Sequence, residues 1–199
     1  MKIKVCGMKY PENISAVAAL QPDYMGFIFY PQSPRFASEL EVIEVSAIRT
    51  GVFVDENEGK VKKLIGKCQL DAIQLHGSES PQFCKLFKGK VIVIKAFGVD
   101  ENFDFEKLND YEGCVDYFLF DTKTSKHGGT GETFNWKLLD SYKLNIPFFL
   151  SGGLSLENME EVKTISHPKF YGVDLNSRFE IEPALKDIDK LKKAFEILK

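Results

Sequence analysis

Short runs of apolar, β-branched and aromatic residues alternate with longer amphipathic stretches along the whole chain. This alternation constrains the fold more than any other feature. Strands are expected at residues 3–6, 25–29, 50–54, 72–75, 91–96, 117–120, 148–150 and 171–174. Helices are expected between them, at 11–20, 39–48, 58–68, 80–87, 105–111, 135–142, 156–165 and 183–198. Pro11 and Pro81 suit first helical turns. Ser38 suits an N-cap, and Val61, Leu64, Ile65 and Cys68 fall on one helical face. The 105–111 stretch is short enough to be a single turn, and Ser155 with Glu157 and Asn158 resembles a helix start.

Sequential βα units build a parallel sheet through right-handed crossovers. Eight units, at about 25 residues each, close a barrel at the short end of the usual length range. The expectation is therefore an α/β chain forming one (β/α)8 TIM barrel over residues 1–199. An open, doubly wound sheet is the alternative, but its usual count is five or six strands. With 44% hydrophobic and 28% charged residues, the composition is that of an ordinary globular chain.

In such a barrel the active site is built at the C-terminal strand ends. The residues there can be read off before any chemistry is assumed. They are Cys6-Gly7, then Tyr30 to Arg35, Asp55, and Gln74 to Gly77. Lys95, Asp121-Thr122, Ser151 to Leu154, and Asp174 to Arg178 follow. Asp and Gly are ordinary turn formers, which suits Asp55 and Gly77. Cys6, His76 and Lys95 are not turn residues. Gly152-Gly153 lies after a strand and before an expected helix, at the station where barrels commonly bind phosphate. Asn176 and Ser177 supply further donors in the next loop. The 122–135 loop carries Lys123, Lys126, His127 and two glycine-rich steps, which suits a lid as well as a plain connection.

Net charge is −3 and the pI is about 5.7, so nothing favours nucleic acid or an anionic membrane. A small phosphorylated ligand remains compatible with that balance. No apolar run is long enough for a transmembrane helix, and MKIKVCGMKY has no signal-peptide core. The chain is expected to remain in the cytoplasm, as monomer or homodimer. Cys68, Cys84 and Cys114 read as buried, reduced thiols. Cys6 differs in its station. A thiolate can remove a proton and a carboxylic acid can donate one, so Cys6 and Asp121 can move protons without metal or organic cofactor.

Several motifs carry a resemblance in family order from residue 2 to the last helix. They are Lys4-Val5-Cys6-Gly7-Met8, Gln74-Leu75-His76-Gly77, Phe120-Asp121, and Gly128-Gly129-Thr130-Gly131 with Phe134-Asn135-Trp136. Leu150-Ser151-Gly152-Gly153-Leu154 and the run from Gly172 to Glu180 complete the set. Together they resemble the phosphoribosylanthranilate isomerases. The resemblance implies a (β/α)8 barrel and a cofactor-free Amadori rearrangement in tryptophan biosynthesis, an intramolecular aldose–ketose redox reaction. It implies Cys6 as the base at C2 of the ribose and Asp121 as the acid at the ring oxygen. It implies Arg35 at the anthranilate carboxylate, His76 and Asp174 beside the substrate, and Gly152, Gly153, Asn176 and Ser177 around the phosphate. The base needs a thiol whose pKa, ordinarily about 8.5, local positive charge can lower. The acid must hold a proton at neutral pH, which burial or a nearby anion would provide.

This chain departs from the family pattern at Ala184, where Gly is expected after Pro183, and at Asn135, where many members carry Asp. Trp136 is expected to pack rather than touch ligand. A Schiff-base aldolase using Lys95 is one alternative, and a pentose-phosphate epimerase is another. The epimerase would depend on metal-binding histidines, and the chain has only His76, His127 and His167. A non-catalytic binding barrel is the alternative outside enzymes.

Overall fold

The structure is a computed structural model that describes residues 1–38, 45–123 and 133–199. Eight parallel strands close into a barrel in chain order. They are β1 (Lys2–Val5), β2 (Tyr24–Ile28), β3 (Ile48–Phe53), β4 (Ala72–Leu75), β5 (Ile92–Val99), β6 (Tyr117–Thr122), β7 (Phe148–Leu150) and β8 (Phe170–Leu175). Closure comes from β1 against β8, with Lys4 opposite Asp174 and Val5 opposite Leu175.

The outer layer holds α1 (Pro11–Ala18), α2 (Glu58–Lys67), α3 (Pro81–Lys85), α4 (Met159–Lys163) and α5 (Ile188–Leu198). Two crossovers are 3-10 helices, Phe105–Tyr111 and Trp136–Ser141. Asn57 caps α2 by accepting from the Lys60 amide at 2.9 Å, and Ser80 caps α3 from Phe83 at 3.2 Å. Along α5, Leu191, Ala194, Phe195 and Leu198 are buried at helical spacing.

Three expected boundaries are corrected. The 39–48 segment lies outside the described residues for its first six positions, and Ile48 belongs to β3, paired with Tyr24. The helix expected over 156–165 begins only at Met159, because residues 156–158 form a turn closed by Asn158. The helix expected from residue 183 begins at Ile188. Before it comes a hairpin of β9 (Glu180–Glu182) and β10 (Leu185–Lys186), with Pro183-Ala184 at its turn. Asp187 accepts from the Lys190 amide at 3.0 Å and fixes the helix start there. Asn13 of α1 holds the Lys186 backbone from both sides, at 2.8 and 3.0 Å. Ala184 sits at φ +72°, the left-handed region where the family pattern has Gly.

The barrel interior has a floor and a polar layer. Tyr24, Ile94, Ala96, Leu119 and Phe149 form one buried cluster, with Tyr117 and Tyr171 packed against it. Above the floor lie Lys4, Thr50, Gln74 and Asp174, all buried. The larger apolar core lies between the strands and the outer layer. Ligand can therefore enter only from the C-terminal strand ends.

Candidate active site

Cys6 directly follows β1 and points inward, two residues above Lys4. Its amide donates to the Leu175 carbonyl at 2.9 Å, and the residue is 3% exposed. The thiol lies against β2 at Gly26, where a Cβ would come within 2.6 Å of its Sγ. Glycine is required there by close approach. Burial pushes the Cys6 thiol above its ordinary pKa; the Lys4 and Lys186 ammonium groups oppose this and Asp174 reinforces it. Positive charge is present, as the sequence led one to expect, but burial outweighs it.

Below Cys6, Lys4 Nζ donates to Asp174 Oδ2 at 2.8 Å. Both side chains are almost fully buried. Burial pushes Asp174 up, with Lys4 opposing. Burial alone would lower Lys4, but Asp174 and Cys6 outweigh it and hold the ammonium above its ordinary value. The second oxygen of Asp174, Oδ1, is buried without a hydrogen-bond partner.

Asp121 stands on β6 across the mouth, with its side chain 28% exposed. Its Oδ1 accepts from the Thr122 amide at 2.8 Å, and its Oδ2 lies 3.5 Å from His76 Nε2. Gln74 Nε2 lies 2.7 Å from His76 Nδ1. A donating amide makes Nδ1 an acceptor and places the neutral ring's proton on Nε2, facing Asp121. The structure thus brings His76 to Asp121, and Gln74 orients it. Gly152, at φ +85°, presses against the same carboxylate, since a Cβ there would meet Asp121 Oδ1 at 2.5 Å and the Thr122 amide at 2.4 Å.

Arg35 follows β2 and is held from one side. Its Nε reaches both Glu180 oxygens at 2.9 and 3.0 Å, and its Nη2 donates to Oε2 at 2.7 Å. Lys186 Nζ adds 2.6 Å to Oε1 and 2.8 Å to Asn176 Oδ1. Burial alone would raise Glu180, but Arg35 and Lys186 hold its carboxyl below the usual range. Burial draws Lys186 down, with Glu180 opposing. Asn176 is therefore anchored through its oxygen to Lys186. Lys4, Gln74, Glu180 and Lys186 were not singled out from sequence. The signals were their places in the motifs, with Lys4 and Gln74 opening two of them and Glu180 closing a third; Lys186 had none.

Gly152 and Gly153 follow β7, and Asn176 and Ser177 follow β8, two strands that pair side by side. Asn158 closes the first loop by donating to the Gly153 carbonyl at 3.0 Å. Because α4 starts at Met159, no helix end lies near residue 156, where one was expected. A cleft of ≈730 Å³ opens beside this station, lined by Gly153, Ser155, Asn158, Arg178 and Lys190 among others. The Lys126, His127 and Gly128-Gly129-Thr130-Gly131 features lie outside the described residues.

Lys95 does not reach the mouth. Its neighbours Ile94 and Ala96 face the barrel interior, so its side chain points outward. Its Nζ donates to the carbonyls of Leu75, Gly77 and Ala96 at 3.2, 2.8 and 2.9 Å and lies 3.3 Å from Glu79. It is a structural cation bracing the loop after β4. His167 is also remote from His76, bound at Nε2 to the Tyr142 carbonyl at 3.1 Å. All four cysteines are buried and unpaired. Among the described residues no helix is long and apolar enough to cross a membrane.

The sequence profile of N-(5'phosphoribosyl)anthranilate (PRA) isomerase matches residues 3–197. The N-(5'-phosphoribosyl)anthranilate isomerase of Parabacteroides distasonis is 48% identical over 200 residues, covering 96% of this chain and 90% of that protein. The phosphoribosyl anthranilate isomerase of Thermus thermophilus superimposes with a TM-score of 0.84 at 30% identity, over 100% and 98% of the two chains. A phosphoribosyl anthranilate isomerase in complex with reduced 1-(o-carboxyphenylamino)-1-deoxyribulose 5-phosphate gives 0.80 at 31% identity, over 98% and 97%.

Proposed function

The chain belongs to the N-(5'-phosphoribosyl)anthranilate isomerase family, and on that premise we propose that Cys6 and Asp121 move the two protons of its reaction. The enzyme is an intramolecular oxidoreductase of tryptophan biosynthesis. It converts N-(5-phosphoribosyl)anthranilate into 1-(2-carboxyphenylamino)-1-deoxyribulose 5-phosphate. C1 is reduced and C2 oxidised within one molecule, so the chemistry balances without an external redox partner.

In the proposed sequence Asp121 gives its proton to the furanose oxygen as the C1–O bond breaks. The anthranilate nitrogen supplies the electron pair, which leaves a Schiff base at C1. Cys6, as thiolate, removes the proton from C2, and the released pair forms the enolamine that becomes the ketose. Arg35 takes the anthranilate carboxylate with the donors that Glu180 leaves unused. Gly152, Gly153, Asn176 and Ser177 hold the phosphate. His76 keeps Asp121 oriented, and Asp174 lies beneath the substrate. A cytoplasmic location is part of this reading, supported by the four unpaired thiols.

One observation carries the assignment. Cys6 follows β1 and Asp121 stands near the end of β6 on the C-terminal rim of one closed barrel, so the two share one mouth. The test is the loss of substrate fluorescence with Cys6→Ala and Asp121→Asn. Each is expected to lower turnover by about 100-fold or more while leaving product-analogue binding largely intact. Near wild-type turnover of Cys6→Ala would remove Cys6 as the base.

A further inference from the structure

The substrate carries an anion at each end, a carboxylate on the anthranilate and a phosphate on the ribose. The side chains assigned to those ends, Arg35 and Asn176, follow different strands, and each presents its donors on rotatable bonds. One buried ammonium links them. Lys186 Nζ donates to Glu180 Oε1 at 2.6 Å and to Asn176 Oδ1 at 2.8 Å, with the Asn176 carbonyl at 3.4 Å. Glu180 in turn grips Arg35 through Nε and Nη2. Gly7, the residue after Cys6, marks where these groups converge. A Cβ there would lie 2.7 Å from Arg35 Cδ, 2.8 Å from Asn176 Oδ1 and 3.5 Å from Lys186 Nζ.

We propose that Lys186 is a positioning residue that ties both substrate subsites to one point, setting Arg35 for the carboxylate through Glu180 and setting Asn176 for the phosphate directly. This rests on the assignment of Arg35 and Asn176 to those two ends.

The hairpin does not depend on the ammonium for its place. Asn13 holds the Lys186 backbone at 2.8 and 3.0 Å, which leaves the side chain to the site. Among the described residues its hydrogen bonds go to Glu180 and Asn176 and to nothing else. An ammonium only donates, so the Asn176 atom that faces it is the oxygen. The NH2 of that amide is therefore directed away from Lys186, as a donor for an anion. Glu180 is shared in the same way, with Oε1 on Lys186 and Oε2 on Arg35, which fixes the guanidinium from one side. With both ends fixed to one cation beside Gly7, the ribose between them is held over Cys6.

Inorganic phosphate and benzoate, used separately as competitive inhibitors in the fluorescence assay, probe one end each. Lys186→Met is expected to raise both inhibition constants by about tenfold, the worth of one charge-assisted hydrogen bond at each end. Glu180→Gln should raise the benzoate constant by as much but the phosphate constant by less than about threefold, because Lys186 still holds Asn176. With the full substrate, kcat/KM of Lys186→Met should fall by about 100-fold, the two ends multiplied, and mostly through KM. Lys95→Met removes a buried lysine elsewhere in the barrel and controls for lost stability; it should keep both constants within about twofold. A Lys186→Met protein that melts lower but keeps either constant would make Lys186 a structural cation and overturn the proposal. Should that variant not fold, Glu180→Gln with Lys186→Met removes both charges. The double variant must then lose phosphate affinity that Glu180→Gln alone keeps, and equal phosphate affinity overturns the proposal. The assignment beneath it fails differently, through benzoate inhibition unchanged in Arg35→Met or phosphate inhibition unchanged in Asn176→Ala.

Discussion

Alanine at position 26 tests whether the tight seat of Cys6 matters. The added Cβ would lie 2.6 Å from Cys6 Sγ, 3.1 Å from its Cα and 3.2 Å from its Cβ. Rotating the thiol relieves the first contact only, since the others involve the start of the side chain and the backbone. The backbone of β2 or the end of β1 must therefore shift by several tenths of an ångström. Overpacking of this kind costs about 1–3 kcal/mol, and each kcal/mol lowers the melting temperature of a domain this size by about 2–4 °C. Displacing the proposed base by about 1 Å costs about 100-fold in turnover. Gly26→Ala is thus expected to melt several degrees lower and to lose most of its kcat, read by thermal unfolding and by the fluorescence assay. Gly66→Ala in α2 is the control, because nothing lies within 4 Å of its Cβ. It should gain about 0.5–1 kcal/mol and keep full turnover. Combining Gly26→Ala with Cys6→Ala should recover part of the lost stability, because the Sγ contact disappears. A Gly26→Ala protein with wild-type melting and kcat would refute the packing argument.

Glu180→Gln should raise KM about tenfold or more, because Arg35 loses its bidentate anchor and lies near Lys186 with no carboxylate between them. Glu180 also titrates below the usual range in the fold, so its stabilising share is complete above the unfolded-state value of about 4.3 and is lost as pH falls through the folded value. Urea melts from neutral to acid pH should therefore lose stability less steeply in Glu180→Gln than in wild type. Lys95→Met should destabilise by about 3 kcal/mol, having unpaired Glu79 and three carbonyls, yet keep kcat at an assay temperature where it is folded. Loss of all turnover in folded Lys95→Met would bring back the Schiff-base alternative.

The strands were legible because each is a short β-branched or aromatic run bounded by turn residues. β5 exceeded its expected end because Phe97, Gly98 and Val99 continue the ladder against Phe120, Asp121 and Thr122, a pairing no local pattern announces. The short α4 and the hairpin before α5 were misread for a related reason. Asn158 closes a turn and Asn13 clamps β10, and these tertiary hydrogen bonds override helical periodicity. The placing of Cys6, Asp121, His76 and the glycine pair at the C-terminal strand ends was legible, since the barrel gathers every such end on one rim. The groups that tune them were not. Lys4 meets Asp174 across 170 positions and Arg35 meets Glu180 across 145. A lysine in a strand reads as a solvated edge until closure of the barrel places it inside.

The buried Lys4–Asp174 pair is not needed for the stability of the fold. A buried ion pair gains little over apolar side chains of the same volume, so the barrel would lose nothing by replacing Lys4 and Asp174 with them. The aromatic floor and the core outside the strands already supply the apolar burial. What an apolar interior cannot supply is a cation beneath Cys6. Without it, less charge would oppose the burial that pushes the thiol up. The same closure that hides Lys4 from water gives its charge a low-dielectric path to the sulfur. Gly26 leaves the room this sulfur needs on the inner face of the strand, apart from the outer core where the other three cysteines lie.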